Sequence, residues 1–183
     1  MPVQTLNLFF SLLTVAVFVL GVVAWAGCVS KLGNNTWLRN VAGWLEPACL
    51  WFGALIATSA TLGSLYYSEV IGFEPCKYCW FQRAAMYPTA VLLVVAAIRK
   101  DIAARFYILP LTILGGVMSA YHFWVELSPL SGGSCSPTVP CNTPYFQQWG
   151  FVSLAFMALV AFFALSGLIL LSPKTVPASN QHQ

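Results

Sequence analysis

Pro75-Cys76-Lys77-Tyr78-Cys79-Trp80-Phe81-Gln82-Arg83 opens an apolar run that continues to Ile98. Proline is tolerated in the first turn of a helix, so this stretch predicts a helix N-terminus, where unpaired N–H groups favour a thiolate. Arg83 follows Cys79 by one helical turn and lies on the same face. Two cysteines at this spacing can close a disulfide that reopens readily, and the neighbouring cation stabilises the thiolate left behind. The stretch is redox equipment at the end of a long apolar helix.

The remainder of the chain sets the solvent. Of its 183 residues, 59% are hydrophobic and 7% charged, which excludes an ordinary soluble domain and makes this an all-α membrane protein. A net charge of +3 is too small to suggest nucleic acid as a partner; membrane lipid is the partner that the composition implies. A hydrocarbon core of about 30 Å needs roughly 20 apolar residues of helix. Five runs qualify: about Leu6 to Gly27, Ala48 to Tyr67, Cys76 to Ile98, Phe106 to Glu126 and Trp149 to Leu171. The polar tail from Pro173 to Gln183 reads as disordered.

Basic residues orient the spans. Lys31 and Arg39 fall between the first two, Arg99, Lys100 and Arg105 between the third and fourth, and Lys174 after the fifth. If these segments are cytoplasmic, the N-terminus is outside, the C-terminus inside, and Cys76, Cys79, Cys135 and Cys141 share the oxidising face. Lys77 and Arg83 then lie against the charge rule, for which thiolate chemistry is a local reason. The first span, ending Ala24-Trp25-Ala26-Gly27-Cys28, mimics a cleavable leader. It lacks a basic stretch before it, and Trp25 stands where a small residue is expected, so it reads as a retained helix.

The second cysteine pair lies in Ser131-Gly132-Gly133-Ser134-Cys135-Ser136-Pro137-Thr138-Val139-Pro140-Cys141. This punctuation predicts a mobile, solvent-facing loop. A disulfide there closes a small ring and stabilises little by chain entropy, which makes it either a loop staple or a candidate for exchange. Four cysteines could also form a tetrahedral zinc site, but five residues between the second pair is an unusual spacing for one. Covalent haem would need histidine where Trp80 stands. Cys28 and Cys49, near the other side, read as small buried hydrophobes.

The chain resembles the DsbB family of quinone-dependent disulfide oxidoreductases, in its compact BdbC-like form. The resemblance rests on Cys76, Cys79 and Arg83, on Tyr121-His122-Phe123-Trp124-Val125-Glu126-Leu127 closing the fourth span, and on the later pair Cys135 and Cys141. Vitamin K epoxide reductase-like proteins carry their loop cysteines before the C-x-x-C, the reverse order. The resemblance implies a four-helix redox core over about residues 42–171, with the span at about 6–27 additional to it. It further implies a multi-pass protein of the inner or plasma membrane.

In such a protein a DsbA-like thioredoxin-fold partner passes electrons to the Cys135/Cys141 pair, then to Cys76 and Cys79. From there they reach ubiquinone or menaquinone, which the respiratory chain reoxidises. By position Cys76 exchanges with the loop and Cys79, beside Arg83, meets the quinone, with His122 and Glu126 as further quinone contacts. The rival from another class is a non-catalytic scaffold or metal-binding membrane protein with a stapled outer loop.

Overall fold

Every backbone N–H and C=O inside a bilayer must find its partner within the protein, so long apolar stretches become helices. A computed structural model describes residues 3–30, 40, 43–128, 135 and 140–172. Among them five helices are long and apolar enough to cross a membrane. These are α1 (Val3–Ser30), α2 (Cys49–Glu69), α3 (Lys77–Arg99), α4 (Arg105–Leu127) and α5 (Leu154–Leu171). A 3-10 turn, Glu46–Ala48, precedes α2. The protein is therefore a helical, multi-pass membrane protein. The segments carrying Lys31, Arg39 and Lys174, and the tail from residue 173, lie outside the described residues.

The predicted spans and the helices agree within a few residues, except at the fifth. The apolar run there starts at Trp149, but Trp149 and Gly150 both have positive φ, at 54° and 81°. Gln148 and Val152 pair across this turn, and Ser153 caps α5 by accepting from Phe156 N at 3.2 Å. Aromatic residues beside a tight turn counted toward hydropathy without being helical.

Helices α2, α3, α4 and α5 pack in sequence, and α5 closes the ring against α2. Small residues let the backbones approach, as is usual between membrane helices. A Cβ at Gly115 of α4 would run into the Phe162 ring of α5, and Gly53 of α2 faces Leu93 of α3. Phe162, Leu165, Leu93 and Ile108 are fully buried in the core so formed.

Helix α1 lies outside this ring, along α5. Its Gly21 sits on Ala164, and Trp25 donates from Nε1 to the carbonyl of Phe163 at 3.1 Å. At its other end Asn7 accepts from the Tyr67 hydroxyl of α2 at 2.7 Å. Arg99, Lys100, Asp101 and Arg105 gather at one end of the bundle, where α3 turns into α4. The opposite end carries the start of α3, the finish of α4 and the start of α1.

Candidate functional site

Cys76 is the residue on which α3 begins. Its backbone is extended (φ −67°, ψ 170°), and its sulfur caps the helix by accepting from Cys79 N at 3.3 Å. Pro75 precedes the cap instead of occupying the first turn, where its missing N–H would have been harmless. The sequence thus gives Cys76 a helix N-terminus, and the Sγ atoms of Cys76 and Cys79 stand 2.8 Å apart as thiols.

Behind the pair is a buried polar relay from α4. His122, 3% exposed, brings Nε2 to 3.6 Å from Cys76 Sγ and Nδ1 to 3.2 Å from the side-chain nitrogen of Gln82. An amide nitrogen can only donate, so Nδ1 accepts, the ring proton resides on Nε2, and it points at the cysteine sulfur. The Cys76 thiol is drawn well below its ordinary value. The hydrogen bond from the Cys79 thiol contributes most, and His122 adds a hydrogen bond against the opposing effect of burial.

The second pair is joined: Cys135 and Cys141 form a disulfide. Cys141 is 2% exposed and shares a cluster with Cys76, Tyr78 and Val125, against which Cys79, Met118 and Cys135 pack. The expected solvent-facing loop is corrected here at Cys141. Its Gly-, Ser- and Pro-rich residues 131–134 and 136–139 lie outside the described residues, but its second cysteine is inside. The chain after Cys141 holds it there. Tyr145 stacks on Phe73 with ring centres 4.5 Å apart and donates its hydroxyl to Glu74 O at 2.6 Å, while Phe146 stacks on Tyr67. The two pairs therefore meet at one end of the bundle.

Cys79, packed against the same cluster, also lines a cavity of about 260 Å³ that Cys76 does not reach. Arg83 shares its wall with Ser64, Tyr67, Met86 and Tyr145. A guanidinium inside a span needs partners. Arg83 donates Nε to Ser64 Oγ at 2.9 Å and one terminal nitrogen to Ser64 O at 3.0 Å, and its head lies 5.5 Å from the Trp80 ring centre. The other terminal nitrogen has no hydrogen bond to the described residues, so it can donate into the cavity. A largely apolar chamber with a thiol and a fixed guanidinium on its wall suits a flat, lipid-soluble ring with polar oxygens.

His122 and Glu126 do not line that chamber. His122 contacts Cys76 and the cavity-lining Gln82, and Glu126 accepts from the Ser153 hydroxyl at the cap of α5. Cys76, Cys79 and His122 bring three potential metal ligands within 4.8 Å of one another. A four-cysteine site is not assembled, because Cys135 and Cys141 are bonded to each other. Cys49 and Cys28 pack at the opposite end, donating to Leu45 O and Gly167 O. Sequence reasoning missed Gln82 and Ser64. Gln82 is a polar side chain within a span and could have been flagged on that ground alone.

A family profile described as disulfide bond formation protein DsbB matches residues 46–172. A probable disulfide formation protein of Oceanobacillus iheyensis is 42% identical over 125 residues, covering 67% of this chain and 84% of the relative. Disulfide bond formation protein C of Bacillus subtilis is 39% identical over 110 residues, covering 59% of this chain and 80% of the relative. A probable disulfide formation protein of Chlamydia muridarum is 31% identical over 131 residues, covering 72% and 96%. No solved structure gives a significant match. The family match includes both cysteine pairs, the relay around His122 and the ring of α2 to α5, and the chain belongs to the DsbB family of disulfide bond formation proteins.

Proposed function

We propose that the protein is a thiol oxidoreductase that withdraws electrons from an extracytoplasmic, DsbA-like thioredoxin-fold partner and delivers them to a membrane quinone. The observation that carries this reading is the two-sidedness of the C-x-x-C: Cys76 packs with Cys141 while Cys79 opens on the cavity beside Arg83. On this reading the cysteine end of the bundle faces outside, with the start of α1, and the Arg99–Arg105 end faces the cytoplasm.

The steps follow from burial. A partner thiolate attacks Cys135, the more accessible sulfur of the loop disulfide, forming a mixed disulfide and freeing Cys141. The partner's second thiol resolves that bond and leaves the partner oxidised. Cys141, packed in one cluster with Cys76, attacks the Cys76–Cys79 disulfide at Cys76 and expels Cys79 as a thiolate toward Arg83. Cys135 then attacks Cys141, restoring the loop disulfide and releasing Cys76, whose thiolate is held by the helix cap and His122. Cys79, Arg83 and the apolar wall would hold ubiquinone or menaquinone. A quinone bound there would accept the two electrons and two protons of the Cys76 and Cys79 thiols as their disulfide re-forms, giving one quinol for the respiratory chain for each partner dithiol oxidised.

The test is Cys79→Ala in purified protein supplied with a reduced thioredoxin-fold oxidase and a quinone, following ring absorbance and free thiols together. Quinone reduction is expected to stop while Cys135–Cys141 still exchanges with the partner. Turnover at the unaltered rate refutes the assignment.

A further inference from the structure

The acceptor cavity is not enclosed by the family-matched helices alone. Phe10, Leu13, Thr14 and Val17 of α1 line one side of it, and all precede residue 46, where the family match begins. Positions 10 and 13, 10 and 14, 13 and 17, and 14 and 17 are three or four residues apart, which puts them on one helix face. We infer that α1 is a wall of the quinone site, and that the gap between α1 and α2 is the passage through which the quinone's isoprenoid tail reaches the lipid. This deepens the proposed function and rests on it.

Three observations lead there. The first is how α1 is anchored. Its second half is seated on α5, with Gly21 against Ala164 and Trp25 over Gly167 and hydrogen-bonded to Phe163 O. Its first turns are fastened to α2 by the buried hydrogen bond from Tyr67 to Asn7, and by Phe10, whose ring lies over Gly63 so closely that a Cβ there would come within 3.0 Å. Between these anchors, Leu13, Thr14 and Val17 line the chamber.

The second is the mouth. Leu13 on α1 and Leu55 on α2 both line the cavity and are nevertheless 36% and 61% exposed. Residues that belong at once to a cavity wall and to the lipid-facing surface mark an opening. Apolar residues on both of its rims suit a hydrocarbon chain.

The third is size. About 260 Å³ lies just below the roughly 300–1,000 Å³ typical of small-molecule sites. The chamber takes a substituted quinone ring and little more, so a polyisoprenoid tail must leave it, and the gap beside Leu13 and Leu55 leads outward. Arg83 and Cys79 line the same chamber, which sets the ring's place relative to the tail.

The test uses the purified full-length protein and direct binding, read from the rise in thermal-unfolding midpoint with quinone concentration. The probes are menaquinone and ubiquinone, each with its isoprenoid tail and as the tail-less ring. The variants are Leu13→Trp and Leu55→Trp, which fill the mouth, and Val29→Trp, an exposed position on α1 outside the cavity lining. Leu13→Trp and Leu55→Trp are expected to weaken tailed-quinone binding by about tenfold or more while changing tail-less binding by less than about twofold, and Val29→Trp to change neither. Midpoints without ligand establish that each variant is folded. Unaltered binding of the tailed probes in both mouth variants, or equal weakening of tailed and tail-less probes, overturns the passage while leaving the proposed function standing. Absence of quinone binding in the wild-type protein overturns both.

Discussion

Gln82 touches neither sulfur, yet it fixes which nitrogen of His122 carries the proton. Gln82→Leu keeps the approximate size, removes the donor to Nδ1, and frees the imidazole to move its proton away from Cys76. A hydrogen bond to a charged group contributes about 1.5–3 kcal/mol. At 3.6 Å the Nε2 to Sγ contact belongs at the lower end, so its loss costs the Cys76 thiolate about 1.5 kcal/mol. One pKa unit corresponds to about 1.36 kcal/mol, so the thiol should titrate about one unit higher. The assay is the pH dependence of Cys76 alkylation in protein with the C-x-x-C pair reduced, resolved by peptide mass spectrometry. The midpoint is read instead of the amplitude because Cys76 is 5% exposed and reacts slowly in any case. His122→Leu sets the ceiling by deleting the donor itself. If His122→Leu raises the midpoint and Gln82→Leu leaves it in place, the tautomer argument is wrong. If neither raises it, the histidine contributes nothing to the thiolate.

The depressed Cys76 thiol also ties stability to pH. Its folded value lies below its unfolded one, so the stabilisation is complete above the unfolded value of about 8.5 and is lost as pH falls through the folded one. The unfolding free energy of the C-x-x-C-reduced protein should therefore drop between about pH 8 and pH 5, by up to about 1.36 kcal/mol per pH unit, and the oxidised protein should lack this component; parallel profiles would refute it. Gly115→Ala places a methyl group in the Phe162 ring and should cost about 1–3 kcal/mol in detergent unfolding, partly restored by Phe162→Leu in the same chain. A double variant no more stable than Gly115→Ala alone would show that the clash is not the cause. Arg83→Ala should weaken apparent quinone affinity about tenfold or more while the cysteines still exchange among themselves, and unaltered affinity would remove Arg83 from the site.

The membrane decides which parts of this arrangement a sequence discloses. In hydrocarbon every polar group must be partnered, so Arg83 within a span announces a site before any contact is known, and its partner proves to be Ser64. The helices are legible for the same reason, since backbone satisfaction leaves an apolar stretch of that length little alternative. Legibility stops where the outcome depends on packing between elements. The Gly-, Ser- and Pro-rich surroundings of Cys141 describe a backbone that cannot be helical. They do not say that Tyr145 and Phe146 will stack on Phe73 and Tyr67 and leave Cys141 buried in the cluster with Cys76. His122 reads equally well as a resident of an aromatic belt, and only the register of α4 against α3 turns it toward Cys76 and Gln82. The wall formed by α1 is the extreme case. Leu13 and Val17 line a chamber and Leu12 and Val19 face lipid, residue types that do not differ between the two sides, and the buried polar Asn7, Ser11 and Thr14 at helical spacing are what mark the inward face. In this protein Arg83 can be found from what it costs to bury and the cysteines from their spacing, whereas the apolar residues that position the acceptor cost nothing to bury and emerge only once the helices are assembled.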